Sequence, residues 1–65
     1  MFEYKIVAGA IEKKILFNPK YIIAISEDNC NLERCYIYTV NGSYLVRESY
    51  ETVSEHYNNW LARCG

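Results

Sequence analysis

Tyr36, Tyr38, Leu45 and Arg47 are the four side chains of this 65-residue chain whose types and spacing could together grip a planar, anionic group. They fall in two alternating runs, RCYIYTV (34–40) and SYLVRE (43–48), on either side of Asn41-Gly42. Aromatic rings beside a guanidinium can stack a flat ring system and hold a negative charge. A nucleotide-like ligand presents both. Tyrosine and arginine are equally the usual anchors of protein interfaces. A third reading is a plain solvated strand face with Arg47 lying over Tyr36. Any concerted use of the four requires that the two runs pair and place them on one side.

The other reactive side chains offer less. His56 is the only histidine. Acid–base work would need a group that orients it and a nucleophile within reach. Its sequence neighbour Glu55 sits about 100° away round a helix, so it does not face the imidazole. Cys30, Cys35, Cys64 and His56 are four soft donors, but a structural zinc site has paired ligands two to four residues apart. Cys30 and Cys35 are one loose pair, and three cysteines make a poor disulfide framework. No glycine-rich phosphate loop and no nucleophile elbow is present. The expectation is no catalytic residue, no metal and no cofactor.

The elements that must position these residues are legible from periodicity. FEYKIVA (2–8) and IEKKILF (11–17) alternate like strands, with Gly9-Ala10 as the turn between them. In the second, Ile11, Ile15 and Phe17 share the apolar side. Asn18-Pro19 ends it, because proline has no N–H for a ladder. YIIAIS (21–26) is short, branched and almost wholly apolar, which predicts a strand covered on both faces. Residues 27–33 read as a polar loop.

Asn-Gly between two alternating runs predicts a hairpin with a type I′ turn, which needs positive φ at both positions. That register pairs Val40 with Ser43, Tyr38 with Leu45 and Tyr36 with Arg47. On the other side it pairs Thr39 with Tyr44, Ile37 with Val46 and Cys35 with Glu48. Ser49 is a good N-cap. Tyr50, Val53, Tyr57, Trp60, Leu61 and Cys64 then recur at helical spacing over 49–64, with Gly65 as a stop. One helix hides one sheet face. The hairpin is apolar on both, so one face calls for other cover, from a curled sheet or a second chain.

Composition sets the frame for these elements. With 51% hydrophobic residues, seven tyrosines and a net charge of −1, the chain predicts one folded domain, 1–65. A core this small supplies only about 3–5 kcal/mol. Charges are interspersed, which argues against nucleic acid as a partner and against a basic membrane anchor. No apolar run approaches the length of a membrane span. The expected location is cytoplasmic.

ILFNPKYI (15–22) followed by NGSYLVRESYETV (41–53) resembles the FlbD-like family of small flagellar and swarming-motility proteins. The likeness covers roughly residues 11–56 and is most specific from Asn41 to Ser49. The first strand, the two loop cysteines and the tail from Tyr57 to Trp60 depart from the family pattern. Short chains of this kind are also similar to phage-encoded ones. The resemblance implies a non-enzymatic protein.

The expected fold is α+β: a small, strongly bent antiparallel meander of about five strands with one C-terminal amphipathic helix. The expected function is a non-catalytic, homo-oligomeric module acting as a regulatory adaptor that binds a protein partner. The alternative is a phage-type stoichiometric inhibitor, an anti-defence protein that sequesters a small nucleotide-like signalling ligand between subunits. Tyr36, Tyr38, Leu45 and Arg47 carry either reading.

Overall fold

A computed structural model describes residues 1–64. The chain runs β1 (Phe2–Ala8), β2 (Ile11–Phe17), a 3₁₀ turn (Pro19–Tyr21), β3 (Ile22–Glu27), β4 (Cys35–Thr39), β5 (Gly42–Val46) and α1 (Tyr50–Cys64). The strands form one antiparallel sheet in the order β2-β1-β5-β4-β3. The fold is therefore α+β, a five-stranded antiparallel sheet with one C-terminal helix. Gly65, expected to end the helix, lies outside the described residues, as does the side chain of Cys64. Among the described residues no helix is long and apolar enough to cross a membrane.

The connection from β2 to β3 requires the sheet to bend. These two strands are its opposite edges, four strand spacings apart. A flat sheet would hold them about 19 Å apart. From Phe17 to Ile22 there are only five residue steps, which reach about 17 Å even when fully extended. Part of that stretch is spent on the compact 3₁₀ turn, with a rise of about 2 Å per residue. The sheet must curl until its edges approach. Asn18 holds the link: its side chain accepts from the Lys20 N–H at 3.1 Å, its carbonyl accepts from the Tyr21 N–H at 3.0 Å, and Pro19 is buried.

The curled sheet encloses one apolar side. Tyr4 and Ile6 of β1, Phe17 of β2, Ile22 of β3, Cys35 and Ile37 of β4 and Val46 of β5 are buried there, with Val53 of α1. Phe2, Ile15, Ile25, Tyr44 and Tyr57 fill the margin. Phe17 and Tyr44 meet edge to face at 5.3 Å. Helix α1 begins as its cap chemistry requires. The Ser49 hydroxyl accepts from the Thr52 N–H at 3.2 Å, and Glu51 and Arg63 lie at the ends the dipole favours. Val53 is fully buried, whereas Leu61 is 42% exposed, so the first half of the helix does the covering.

Three expectations are corrected. First, β3 is not covered on both faces; it is an edge strand, and Ile23 is 68% exposed at a bulge between Ile22 and Ala24. An apolar branched run has the same composition at an edge as at a centre, and only the strand order tells them apart. Second, Ile11 is 66% exposed despite sharing the inward parity of Ile15 and Phe17, because it pairs with Ala8 next to the Gly9-Ala10 turn.

Third, the β4–β5 register is displaced by two. Tyr36 faces Leu45, Tyr38 faces Ser43, Ile37 faces Tyr44, Cys35 faces Val46 and Thr39 faces Gly42. Asn41 does not adopt positive φ; among the described residues only Gly9 (63°) and Gly42 (132°) do. The competing strand explains this. Thr39 is paired with Ile22, and the Val40 N–H donates to the Tyr21 carbonyl at 3.2 Å. The turn is thereby centred on Val40-Asn41, with Gly42 supplying the backbone that L-residues avoid. The Thr39 hydroxyl locks it, accepting from the Asn41 N–H at 3.2 Å and donating to the Gly42 carbonyl at 2.9 Å.

Candidate functional site

A displacement of two preserves side-chain parity, whereas a displacement of one would exchange the faces. Tyr36, Tyr38 and Leu45 therefore still share a face, the one turned away from α1. The two tyrosine rings stand 6.3 Å apart at 30°. Leu45 and Tyr36 are half-buried against each other's side of the sheet, and Tyr38 is 40% exposed. Val7 of β1 joins them, because the Ile6–Val46 pairing sets it opposite Leu45. This outer face has no helix over it.

Arg47 does not lie across from Tyr36. It follows the last residue of β5, and its N–H donates to the Lys5 carbonyl at 2.8 Å. Its guanidinium forms an ion pair with Glu12 of β2. Both side chains are about half exposed, so the pair contributes little to stability. What it does is draw the guanidinium toward β2.

Sequence reading missed the neighbours of Arg47. Lys14 faces Lys5 in the β1–β2 ladder, Lys5 faces Arg47, and Arg34 stands one step beyond the Cys35–Val46 rung. Arg34 and Arg47 line the same two surface grooves. Four cations thus form a row across four strands. Strand pairing puts them side by side although they are far apart in the chain, so no local charge pattern reveals them. A larger groove of about 500 Å³ runs between Lys5, Lys14, Arg47 and the carboxylates Glu3, Glu12 and Glu48.

The inner face holds a second polar group that the sequence did not disclose. The Tyr4 hydroxyl lies 2.7 Å from His56 Nδ1, and the two rings stack at 6.0 Å and 6°. The phenol donates where Nδ1 is bare and accepts where Nδ1 carries the proton, so the tautomer sets the direction of this bond. Burial, with the Glu48 and Cys35 charges adding to it, pushes the Tyr4 phenol up to about 12. Burial, with Glu48 again adding, pushes the Cys35 thiol up to about 11. Both groups hold their protons at neutral pH, so Cys35 is a poor nucleophile. The signal that could have found the contact is His56 lying three residues after Val53, on the edge of the buried stripe.

Cys30 is exposed and Cys35 fully buried. Iodoacetamide at neutral pH, followed by peptide mass spectrometry, is expected to alkylate Cys30 and spare Cys35 until denaturant is added. Equal labelling of both in the folded chain would contradict the burial. Among the described residues no three of the His, Cys, Asp and Glu side chains gather closely enough to hold a metal ion. In comparisons with known proteins, no family model, no curated protein and no solved structure matches the chain.

Proposed function

We propose that this protein is a non-catalytic binding module whose outer sheet face docks on a second copy of the chain, and that the assembly serves as a regulatory adaptor for a protein partner. One observation carries the reading: Val7, Leu45, Tyr36 and Tyr38 form an apolar and aromatic strip on the face opposite α1, so the chain's one helix leaves them uncovered. Tyrosine-rich strips of this kind supply the anchors of interfaces. A core this small also gains from association. The resemblance of residues 11–56 to the flagellar and swarming-motility family supports a regulatory role without chemistry. The inner-face groups fit it too, since His56 is engaged by Tyr4 and Cys35 stays a thiol.

Light scattering on the native chain and on a Tyr36→Ser/Tyr38→Ser double variant tests the reading. Each anchor lost should cost about 2 kcal/mol of association. The native chain is expected to be an oligomer at micromolar concentration, and the variant a monomer with an unchanged circular-dichroism spectrum. A native chain that stays monomeric over that range would remove the basis for the proposal. A second reading, capture of a small nucleotide-like ligand at the subunit boundary, is favoured by the ring pair lying beside the cation row.

A further inference from the structure

From that second reading, on which it rests, we infer that the row Lys14–Lys5–Arg47–Arg34 is an anion site for a small nucleotide carrying at least two phosphates, its base lying on Tyr36 and Tyr38. Most of the row lacks a direct ion pair. Lys5 and Lys14 oppose each other directly in the ladder, an arrangement that costs a sheet stability. Glu3, Glu12 and Glu48 line the same groove, but Glu12 is the one of them that pairs with a cation, Arg47, among the described residues. Among the described residues Lys5, Lys14 and Arg34 form no ion pair. An anion placed in the row would offset the repulsion and gain charge-assisted hydrogen bonds from the Arg34 guanidinium and the Lys5 and Lys14 ammonium groups.

The spacing selects the ligand. Neighbouring strands are about 4.8 Å apart, so the four cations span about 14 Å across the sheet. One phosphate reaches two adjacent strands and no more; two linked phosphates reach the row. The tyrosines are displaced from it along the strand. Tyr36 is two residues from Arg34, or about 7 Å. That matches the reach of a nucleoside from its base to its 5′-phosphate. Base stacking on a tyrosine adds to the affinity whatever the base. The outer face curves outward, so a single copy offers an open platform. A second copy docked on Val7 and Leu45, beside the rings, would close it over the ligand.

The experiment is a ¹H–¹⁵N nuclear magnetic resonance titration with four probes: ADP, inorganic pyrophosphate, adenosine and a single-stranded DNA tetramer. ADP is expected to shift the signals of Lys5, Lys14, Arg34 and Arg47 together with those of Tyr36 and Tyr38, and to bind more weakly as salt rises. Pyrophosphate and adenosine should each bind about ten-fold more weakly than ADP, because each keeps half the contacts. Arg34→Gln and Lys14→Gln should each weaken ADP by about ten-fold, while Lys20→Gln, off this face, changes nothing. No shift at the row with ADP overturns the inference, as does an unchanged affinity in Arg34→Gln or tighter binding of the tetramer than of ADP.

Light scattering on the same samples separates the two proposals. An oligomer that ignores ADP sinks the anion site and leaves the docking face standing. A monomer that binds ADP does the reverse.

Discussion

Replacing Ile37 by alanine is expected to remove most of the stability of the fold. Ile37 lies in β4, next to the centre of the sheet, is fully buried, and faces Tyr44 on one side and Ile25 on the other. Truncating a buried isoleucine to alanine costs about 2–5 kcal/mol, part of it for the cavity left behind. A core of this size supplies about 3–5 kcal/mol in all. The two figures are comparable, so the variant's urea midpoint should fall close to zero, read by far-ultraviolet circular dichroism. Ile23→Ala is the control. It removes the same atoms from a side chain that is 68% exposed, and should shift stability by no more than about 0.5 kcal/mol. Equal losses in the two variants would mean that the inner face of β4 is not where the core closes.

Alkaline pH should unfold the protein through Tyr4 and Cys35. Both pKa values are raised on folding, to about 12 and about 11 from 10.0 and 9.0. The folded state therefore binds these protons more tightly than the unfolded one. The stabilisation is complete below pH 9, and it is lost as pH rises, first for Cys35 between 9 and 11 and then for Tyr4 between 10 and 12. At 1.36 kcal/mol per unit, each group contributes about 2–3 kcal/mol. The two are not simply additive, because the Cys35 charge is one cause of the Tyr4 shift. The urea midpoint is expected to fall steeply above pH 9, and Cys35→Ala, which removes one of the two ionisations, should delay the fall. A midpoint indifferent to pH up to 11 would show that neither group is held in a dry site.

The elements themselves were readable because each rests on a local period. Phe2, Tyr4 and Ile6 alternate with charged residues, and Val53 and Tyr57 recur at helical spacing. Ser49 marks the helix start by a hydroxyl that caps it. What was not readable depends on partners distant in the chain. The seam of β1 with β5, which turns two local units into one sheet, leaves no trace in either strand. Without it β3 could not be recognised as an edge. The hairpin register failed for a similar reason: β3 engages Thr39 and Val40, and that competition outweighs the Asn-Gly preference.

The site shows the same division. Tyr36, Tyr38 and Leu45 were placed on one face by parity alone, which tolerates a two-residue displacement. Arg47 lies past the last rung, and its carboxylate partner comes from β2. Arg34 joins it only through the strand pairing that sets four cations in line.

The two free borders of the sheet also limit how copies can meet. Unpaired N–H and C=O groups along a strand invite another chain to extend the ladder, the first step toward fibrils. Here β2 presents Glu12, Lys13 and Lys14 in succession along its border. On the opposite side, β3 is interrupted by the bulge at Ile23 and ends toward Ser26, Glu27 and Asp28. Charge on one border and a kink on the other discourage endless growth by strand addition. The face-on contact proposed above differs in kind, because a closed contact stops at a finite number of subunits.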